Sequence, residues 1–413
     1  MNSHYPLWEL LGRPSGFGAP EHTATHARGV RVRFADDRWR LCATSGLWNS
    51  NLGYGNQRVA EAVGRALIDH SYLSLFRGGH SPAVEAARAL LEVCGQDHYG
   101  RVLFTTSGGS ANDAAMKMAR QYWALRRSFR RRVIVGLRGS YHGLTYGSHG
   151  LTGESLAQSY YSVDQRWIRH VDHHGAEELT ELLAAEGESV AAVVVEPVLG
   201  TGAYPLSPEM VADLLRLRRE HGFLLVADEV ATGFGRTGPY FASQEWPEPP
   251  DILLASKGLT NGTCAAAAVV ASTEVLSVFT RADASLVHAE TQAGSPTTCA
   301  AITAVTGEME RLDALQNGKR VSAGLDRLLA SISDHPLVSS TGGAGCFRAI
   351  RLRTSDEITA AAAVDRIHAA GAVVSPGPDC VQLAPALVYE PDDLEELEHA
   401  LRTGLDETAE RSS

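Results

Sequence analysis

Residues 223–238 read Phe223-Leu224-Leu225-Val226-Ala227-Asp228-Glu229-Val230-Ala231-Thr232-Gly233-Phe234-Gly235-Arg236-Thr237-Gly238, and residues 252–258 read Ile252-Leu253-Leu254-Ala255-Ser256-Lys257-Gly258. Each opens with a short apolar run that stops at a chargeable side chain. A run of four or five apolar residues without polar alternation is the pattern of a strand covered on both faces, as in a parallel sheet wrapped by helices. Asp228 and Lys257 then fall just beyond the carboxyl ends of two such strands. Ligands of open α/β sheets bind at those ends.

The chain around these segments repeats the pattern. Strands are predicted over 102–105, 133–137, 190–195, 223–227 and 252–255. They are followed in turn by Ser107-Gly108-Gly109-Ser110, by Gly139-Ser140-Tyr141-His142-Gly143, by Glu196-Pro197, by Asp228-Glu229 and by Lys257. Ser207 and Pro208 read as the cap and first residue of a helix that Gly222 ends. Helices are also expected over 59–69, 83–93, from about 111, and, late in the chain, as one long helix from about 308 to about 331, then over 360–370 and 393–401. A strand is expected over 346–352. The fold class is therefore α/β: a mainly parallel sheet wrapped by helices in a large domain over 56–308. A small α+β domain is expected to combine residues 1–55 with 309–413.

A length of 413 residues suits two domains, and 44% apolar with 21% charged residues is ordinary for a globular protein. A net charge of −11 argues against a nucleic-acid surface. The basic cluster at 126–132 reads as a solvated helix end. The cysteines, Cys42, Cys94, Cys264, Cys299, Cys346 and Cys380, show no metal spacing, and no metal site is expected; they suit reduced thiols in the cytoplasm. No signal peptide is visible at the start, and the apolar run 265–271 is too short to span a bilayer, so no membrane partner is expected. Lys117, Lys257 and Lys319 are the only lysines among 37 basic residues, which raises the chance that one is kept for amine chemistry.

Each residue of this set has a bland reading. Glycines before a helix can be a plain turn, Asp228 can cap a helix, Lys257 can begin a surface loop, and Tyr141 can be a packed ring. Their shared location favours chemistry instead. Gly108, Gly109 and Ser110 at a helix start would cradle a phosphate. Asp228, desolvated at a strand end, needs a positive partner such as a protonated pyridine nitrogen. Lys257 would supply a nucleophilic amine for a Schiff base, and Tyr141 would stack on a flat ring.

Taken together, these segments resemble the class III aminotransferases, the family of ornithine, γ-aminobutyrate and ω-amine transaminases. The likeness runs from about Ser45 to Leu387 and is most specific over 228–238 with Ser256-Lys257-Gly258. The stretches 45–55 and Phe76-Arg77-Gly78-Gly79-His80-Ser81-Pro82 are similar to the ω-amine subgroup. The resemblance implies fold type I and the cofactor pyridoxal 5'-phosphate. By the same resemblance Lys257 carries the cofactor and Asp228 holds its pyridinium nitrogen, Val230 lies under the ring, and Tyr141 covers it with His142 alongside. Gly108, Gly109 and Ser110 hold the phosphate, Glu196 is an active-site acid, and Trp48, Phe76 and Arg77 line the substrate pocket. Thr291 reaches the phosphate of a neighbouring subunit, which implies a homodimer.

The departures bear on substrate. Gly109 stands where the family has serine or threonine, Ala231 replaces a glutamine and Thr201 a glutamate. Gln382 and Ser375 occupy the two places where members carry a carboxylate-binding arginine. A neutral amide cannot replace a bidentate guanidinium. The expected reaction moves an amino group from a small-molecule donor to an aldehyde or ketone; daptide-type enzymes, which act on the terminal carbonyl of a ribosomal peptide, are the model for a peptide-borne acceptor. An aminomutase or epimerase on the same scaffold is the second reading, and a non-catalytic binding protein the third.

Overall fold

The computed structural model describes residues 5–355 and 358–410. The strand ending in Asp228, Leu224–Asp228, lies at the middle of a seven-stranded sheet. The strand order is Tyr99–Thr105, Ala267–Ser272, Ile252–Ala255, Leu224–Asp228, Val190–Val195, Val133–Leu137 and Ile168–Val171. All neighbours run parallel except Ala267–Ser272, which is antiparallel to the strands on both its sides. Asp228 pairs in register with Leu254, so the strand ends that lead to Asp228 and Lys257 lie side by side.

Alternation along these strands sorts the core into two layers. Ala192, Val194, Leu224 and Val226 pack with Ala111, Ala114, Ala115 and Met118 of helix Gly108–Leu125. Val193, Val195 and Leu225 face the other way, onto Met210, Val211, Leu214 and Leu217 of helix Pro208–His221. That helix begins and ends where the sequence predicts. Ser207 Oγ accepts the N–H of Met210 at 3.0 Å, and Gly222, at φ 73°, closes the last turn.

The ends of the chain meet. The hairpin strands Ala24–Arg28, Arg31–Phe34 and Trp39–Cys42 form one sheet with Ala372–Val373, which pairs in parallel with Trp39–Cys42. A second antiparallel sheet joins Val338–Ala344, Phe347–Leu352, Cys380–Leu383 and Ser375–Pro376. Leu41 and Leu52 share a core cluster with Leu387, Leu401 and Leu405.

Two local expectations change. The late helix expected from about 308 begins at Ala314 and runs to Ile332, because Asp313, at a left-handed φ of 48°, separates it from the helix Pro296–Arg311. The apolar run read only as too short for a membrane is the antiparallel strand Ala267–Ser272, wholly buried. Among the described residues no helix is long and apolar enough to cross a membrane. Of the 126–132 arginines, Arg126, Arg127, Arg130 and Arg132 are exposed, as a solvated helix end requires, while Arg131 lies over the Trp123 ring at 4.2 Å and donates to the carbonyls of Val190 and His221.

Candidate active site

Asp228 ends its strand with only 2% of its surface exposed. Desolvation of that kind requires donors, and three elements bring them. Asn112, one turn into helix Gly108–Leu125, donates from Nδ2 to Asp228 Oδ2 at 2.8 Å. His142 Nδ1, from the loop after Val133–Leu137, lies 2.7 Å from the same oxygen, and the Val230 N–H reaches Oδ1 at 3.1 Å. Burial opposes protonation of His142, but the hydrogen bond and charge of Asp228, with Glu196 adding to them, outweigh it and raise the imidazole pKa. His142 Nε2 and Asn112 Oδ1 are buried with no partner among the described residues. Glu229, the second acid of the pair, is turned away: it accepts from Thr232 and from the N–H groups of Ala242 and Ser243, fixing the next turn.

Lys257 begins the short turn Lys257–Thr260 with a left-handed φ of 48°. Its neighbour must be glycine, because a Cβ on Gly258 would meet Asn51 Nδ2 and Phe234 Cβ, each at 2.8 Å. Lys257 Nζ lies 4.7 Å from the centroid of the Trp48 ring. Desolvation lowers its pKa, against the opposing charges of Glu196 and Asp228 and with help from Arg236. A lysine so placed supplies the neutral amine that a nucleophile needs. Trp48 comes from a left-handed turn, Ser45–Trp48, whose φ values are 47°, 56°, 68° and 61°. Its ring also meets Phe347 edge-on at 5.6 Å.

Glu196 is buried, accepting the N–H of Tyr141 and that of Gly200, each at 2.9 Å. Burial pushes its pKa up to about 7, with His142 pulling against that shift and Asp228 adding to it. Tyr141 keeps part of its ring exposed.

The helix that begins at Gly108 is built for close approach. A Cβ on Gly108 would touch Val230 Cγ1 at 3.1 Å, and one on Gly109 would touch Ser148 Oγ at 3.1 Å. Ser107 caps the Ser110 N–H at 3.2 Å. Ser110 Oγ donates to Glu290 Oε1 at 2.5 Å and lies 3.2 Å from His288 Nε2, while Thr106 also bonds Glu290. Val230 and the glycine turn are thus in contact, within one hydrogen bond of Asp228. A flat ring with a basic nitrogen and a phosphate fits this set: a carboxylate with its own donors, a glycine-lined helix start, and an amine of lowered pKa.

Other sequence-predicted residues lie elsewhere within the chain. Phe76 is 57% exposed, and Arg77 is exposed with a left-handed φ of 60°. Thr291 is exposed beside Glu290, and its carbonyl accepts from the Tyr72 hydroxyl at 2.8 Å, which ties Tyr72 to that segment. Gln382 is buried and donates to the Gly200 carbonyl at 2.7 Å; Ser375 is its strand partner. Arg351 donates to the Gly202 carbonyl at 2.9 Å and lies 4.0 Å from the centroid of Tyr204.

Three residues escaped the sequence reading. Asn112 could have been found as the position one helical turn after Gly108; Glu290 carries no local signal. Arg236 was quoted only as part of a motif. It is fully buried, bonding Ser45 Oγ at 3.1 Å, Asn51 Oδ1 at 2.5 Å and the carbonyls of Cys346 and Pro385. Asp172, His173 and His174 place possible ligand atoms within 4.8 Å of one another, a grouping of a kind that is common without a metal ion.

Comparison with known proteins agrees with this geometry. The family model for aminotransferase class-III matches residues 17–405. The putrescine–pyruvate aminotransferase of Pseudomonas aeruginosa is 29% identical over 93% of this chain and 90% of its own length. The acetylornithine aminotransferase of Mycolicibacterium smegmatis is 31% identical, over 98% of both chains. Among solved structures, an amine transaminase from an uncultivated Pseudomonas species, in its pyridoxal-phosphate-bound form, superposes with a TM-score of 0.92 at 26% identity, covering 98% of this chain and 100% of that one. The chain belongs to the class III aminotransferases and is a pyridoxal-phosphate-dependent enzyme of that family.

Proposed function

We propose that this aminotransferase moves an amino group from a small amine donor to an aldehyde or ketone that carries no carboxylate beside its carbonyl. The observation that carries the reading is Gln382. Its neutral amide is committed to the Gly200 carbonyl, in one of the two places where relatives by resemblance carry a carboxylate-binding arginine. Arg351, which reaches that turn, is engaged by Gly202 and Tyr204. A ketone-terminated peptide belongs among the acceptors to be tried.

When bound, pyridoxal 5'-phosphate supplies an electrophilic carbonyl carbon conjugated to an electron-accepting pyridinium. Gly108, Gly109 and Ser110 would hold its phosphate, Val230 and Tyr141 would pack against its ring, and Asp228 would keep the ring nitrogen protonated. His142 and Asn112 orient Asp228 and stabilise its charge. Lys257 Nζ holds the cofactor at rest. Free of the cofactor, Lys257 Nζ would carry a proton from the donor's amine-bearing carbon to the cofactor in the first half-reaction, and from the cofactor to the acceptor's carbonyl carbon in the second. Glu196 fixes Tyr141 through its backbone, and Trp48 limits the space above Lys257.

In the same proposal the enzyme is a cytoplasmic homodimer, in keeping with its free cysteines. Thr291 reaches the partner's phosphate, and Phe76 and Arg77 line the partner's pocket. Support comes from the exposed apolar residues Tyr72, Leu73 and Phe76, of which Tyr72 is tied to the segment whose Glu290 bonds Ser110. Residues 1–55 and 309–413 form the small domain and 56–308 the large one, in keeping with the pairing of Ala372–Val373 to Trp39–Cys42. A screen of donors and acceptors, read by cofactor absorbance and product mass, tests the reaction. Turnover confined to α-keto acids would refute the acceptor class, and a one-chain mass for the active holoenzyme in sedimentation would refute the dimer.

A further inference from the structure

Of the three residues read as the phosphate cradle, Gly108, Gly109 and Ser110, only Ser110 carries a side-chain donor. A side chain at either glycine would crowd its neighbours: a Cβ on Gly108 would press on Val230, and one on Gly109 would lie 3.1 Å from Ser148 Oγ and 3.3 Å from Thr145 Oγ1. Both protons that Ser110 can donate are engaged within the chain. Its N–H bonds Ser107 Oγ at 3.2 Å, and its hydroxyl donates to Glu290 Oε1 at 2.5 Å.

Glu290 reaches the turn from an irregular stretch, residues 284–290, between the helices Thr273–Ala282 and Pro296–Arg311. Its other oxygen accepts from the Thr106 hydroxyl, and the Thr106 N–H reaches Oε1 at 3.3 Å. Desolvation works against the charge of Glu290, but the Ser110 and Thr106 donors, with His288, outweigh it and lower the pKa, so the group is a carboxylate at neutral pH. Among the described residues His288 is the one basic side chain within 4 Å of it, at 3.8 Å. Desolvation and nearby Lys117 lower the imidazole pKa, so His288 adds little compensating charge.

A phosphate dianion, like a carboxylate, accepts hydrogen bonds and has none to donate. Ser110 has one hydroxyl proton, and two such acceptors cannot both take it. Two anions drawn to one partly desolvated site also repel each other. Glu290 has a route out, since 24% of its side chain is exposed and it lies on no helix or strand. We propose that Glu290 sets how tightly the cofactor is held: it competes with the cofactor's phosphate for the Ser110 proton, which weakens binding and speeds release. The proposal rests on the reading of Gly108, Gly109 and Ser110 as the phosphate cradle.

Pyridoxamine 5'-phosphate, the aminated form of the cofactor, makes no bond to Lys257 and therefore reports the phosphate contacts directly. The test titrates the cofactor-free full chain with it and with pyridoxamine, which lacks the phosphate. The wild type, Glu290→Gln and Glu290→Ala are compared, with dissociation constants from calorimetry and release rates from dilution. Both variants are expected to bind the phosphorylated form at least tenfold more tightly, through slower release, with pyridoxamine affinity unchanged. A Glu290→Ala affinity equal to or weaker than that of the wild type overturns the proposal, because Glu290 would then be a brace that keeps Ser110 in place. A gain shared by pyridoxamine overturns it as well, since the phosphate would not be the competing group. A wild type that binds both forms alike removes the cradle reading itself, and this proposal with it.

Discussion

His142 Nδ1 sits 2.7 Å from Asp228 Oδ2, and neither side chain reaches solvent. The contact ties the loop after one strand to the end of another and holds the aspartate in place with its charge partly compensated. Asp228→Asn keeps the shape but removes the charge. Turnover is expected to fall about a hundredfold or more, the usual scale for losing one preorganised electrostatic group. Steady-state rates at saturating cofactor, with bound cofactor followed by absorbance, check this; a loss below tenfold would deny Asp228 its role.

Lys257→Ala is expected to abolish the absorbance of lysine-bound cofactor and to cut turnover by about ten-thousandfold, the upper range for a positioned acid-base group. Borohydride reduction of the wild-type holoenzyme followed by peptide mapping should label Lys257. A label on Lys117 or Lys319 would refute the assignment.

Glu196 makes stability depend on pH with a definite sign. Its ordinary pKa of 4.5 is raised by burial to about 7 in the fold. Between those values the folded state holds a proton that the unfolded chain has released, so Glu196 makes the protein less stable as pH rises from about 4.5 to 7. Glu196→Gln removes that part of the slope, whatever constant offset its amide adds. Urea unfolding of the cofactor-free protein between pH 5 and 8 should show a shallower decline for the variant. Equal slopes would show that Glu196 stays charged.

Arg236→Ala leaves the carbonyls of Cys346 and Pro385 and the Asn51 side chain without their donor. Each buried orphan costs about 1–3 kcal/mol. A destabilisation of at least about 3 kcal/mol is expected from the urea midpoint. A loss below about 1 kcal/mol would mean that the segments it joins are held by other contacts.

Acceptor choice can be measured directly. With no arginine at 375 or 382, a keto acid should be preferred over the matching simple ketone by less than about a hundredfold, or roughly 2.7 kcal/mol. A larger preference that Arg351→Ala erases would show that Arg351 leaves Gly202 to bind the carboxylate, and the carboxylate-free reading would give way.

The central sheet was legible in the sequence because its strands are unbroken apolar runs. Predicted spans 133–137, 190–195 and 252–255 coincide with strands, and Ser207 and Gly222 bracket a helix as expected. The short strand Ile168–Val171 escaped notice because its middle residues, Arg169 and His170, interrupt the apolar pattern. Lys257 and Asp228 could be found because each ends an apolar run. Asn112 and Glu290 could not be ranked, since their contacts with Asp228 and Ser110 arise from which elements meet in space. Phe76, Arg77 and Thr291 were legible only by family likeness: a single chain leaves all three exposed.

The pairing of Ala372–Val373 with Trp39–Cys42 also sets a timetable for synthesis. The two strands are roughly 330 residues apart in the chain. At about 5–20 residues per second, the ribosome needs roughly 15–65 s to deliver the second after the first. The sheet strands that lead to Asp228 and Lys257 are made within that interval. Ser45, beside Trp48, waits longer still, because its hydroxyl bonds the carbonyl of Ala384. The amine of Lys257 therefore emerges from the ribosome well before the wall that narrows access to it can close. For that interval the nascent chain leaves the hairpin edge at Trp39–Cys42 unpaired, the kind of edge that invites association with other chains.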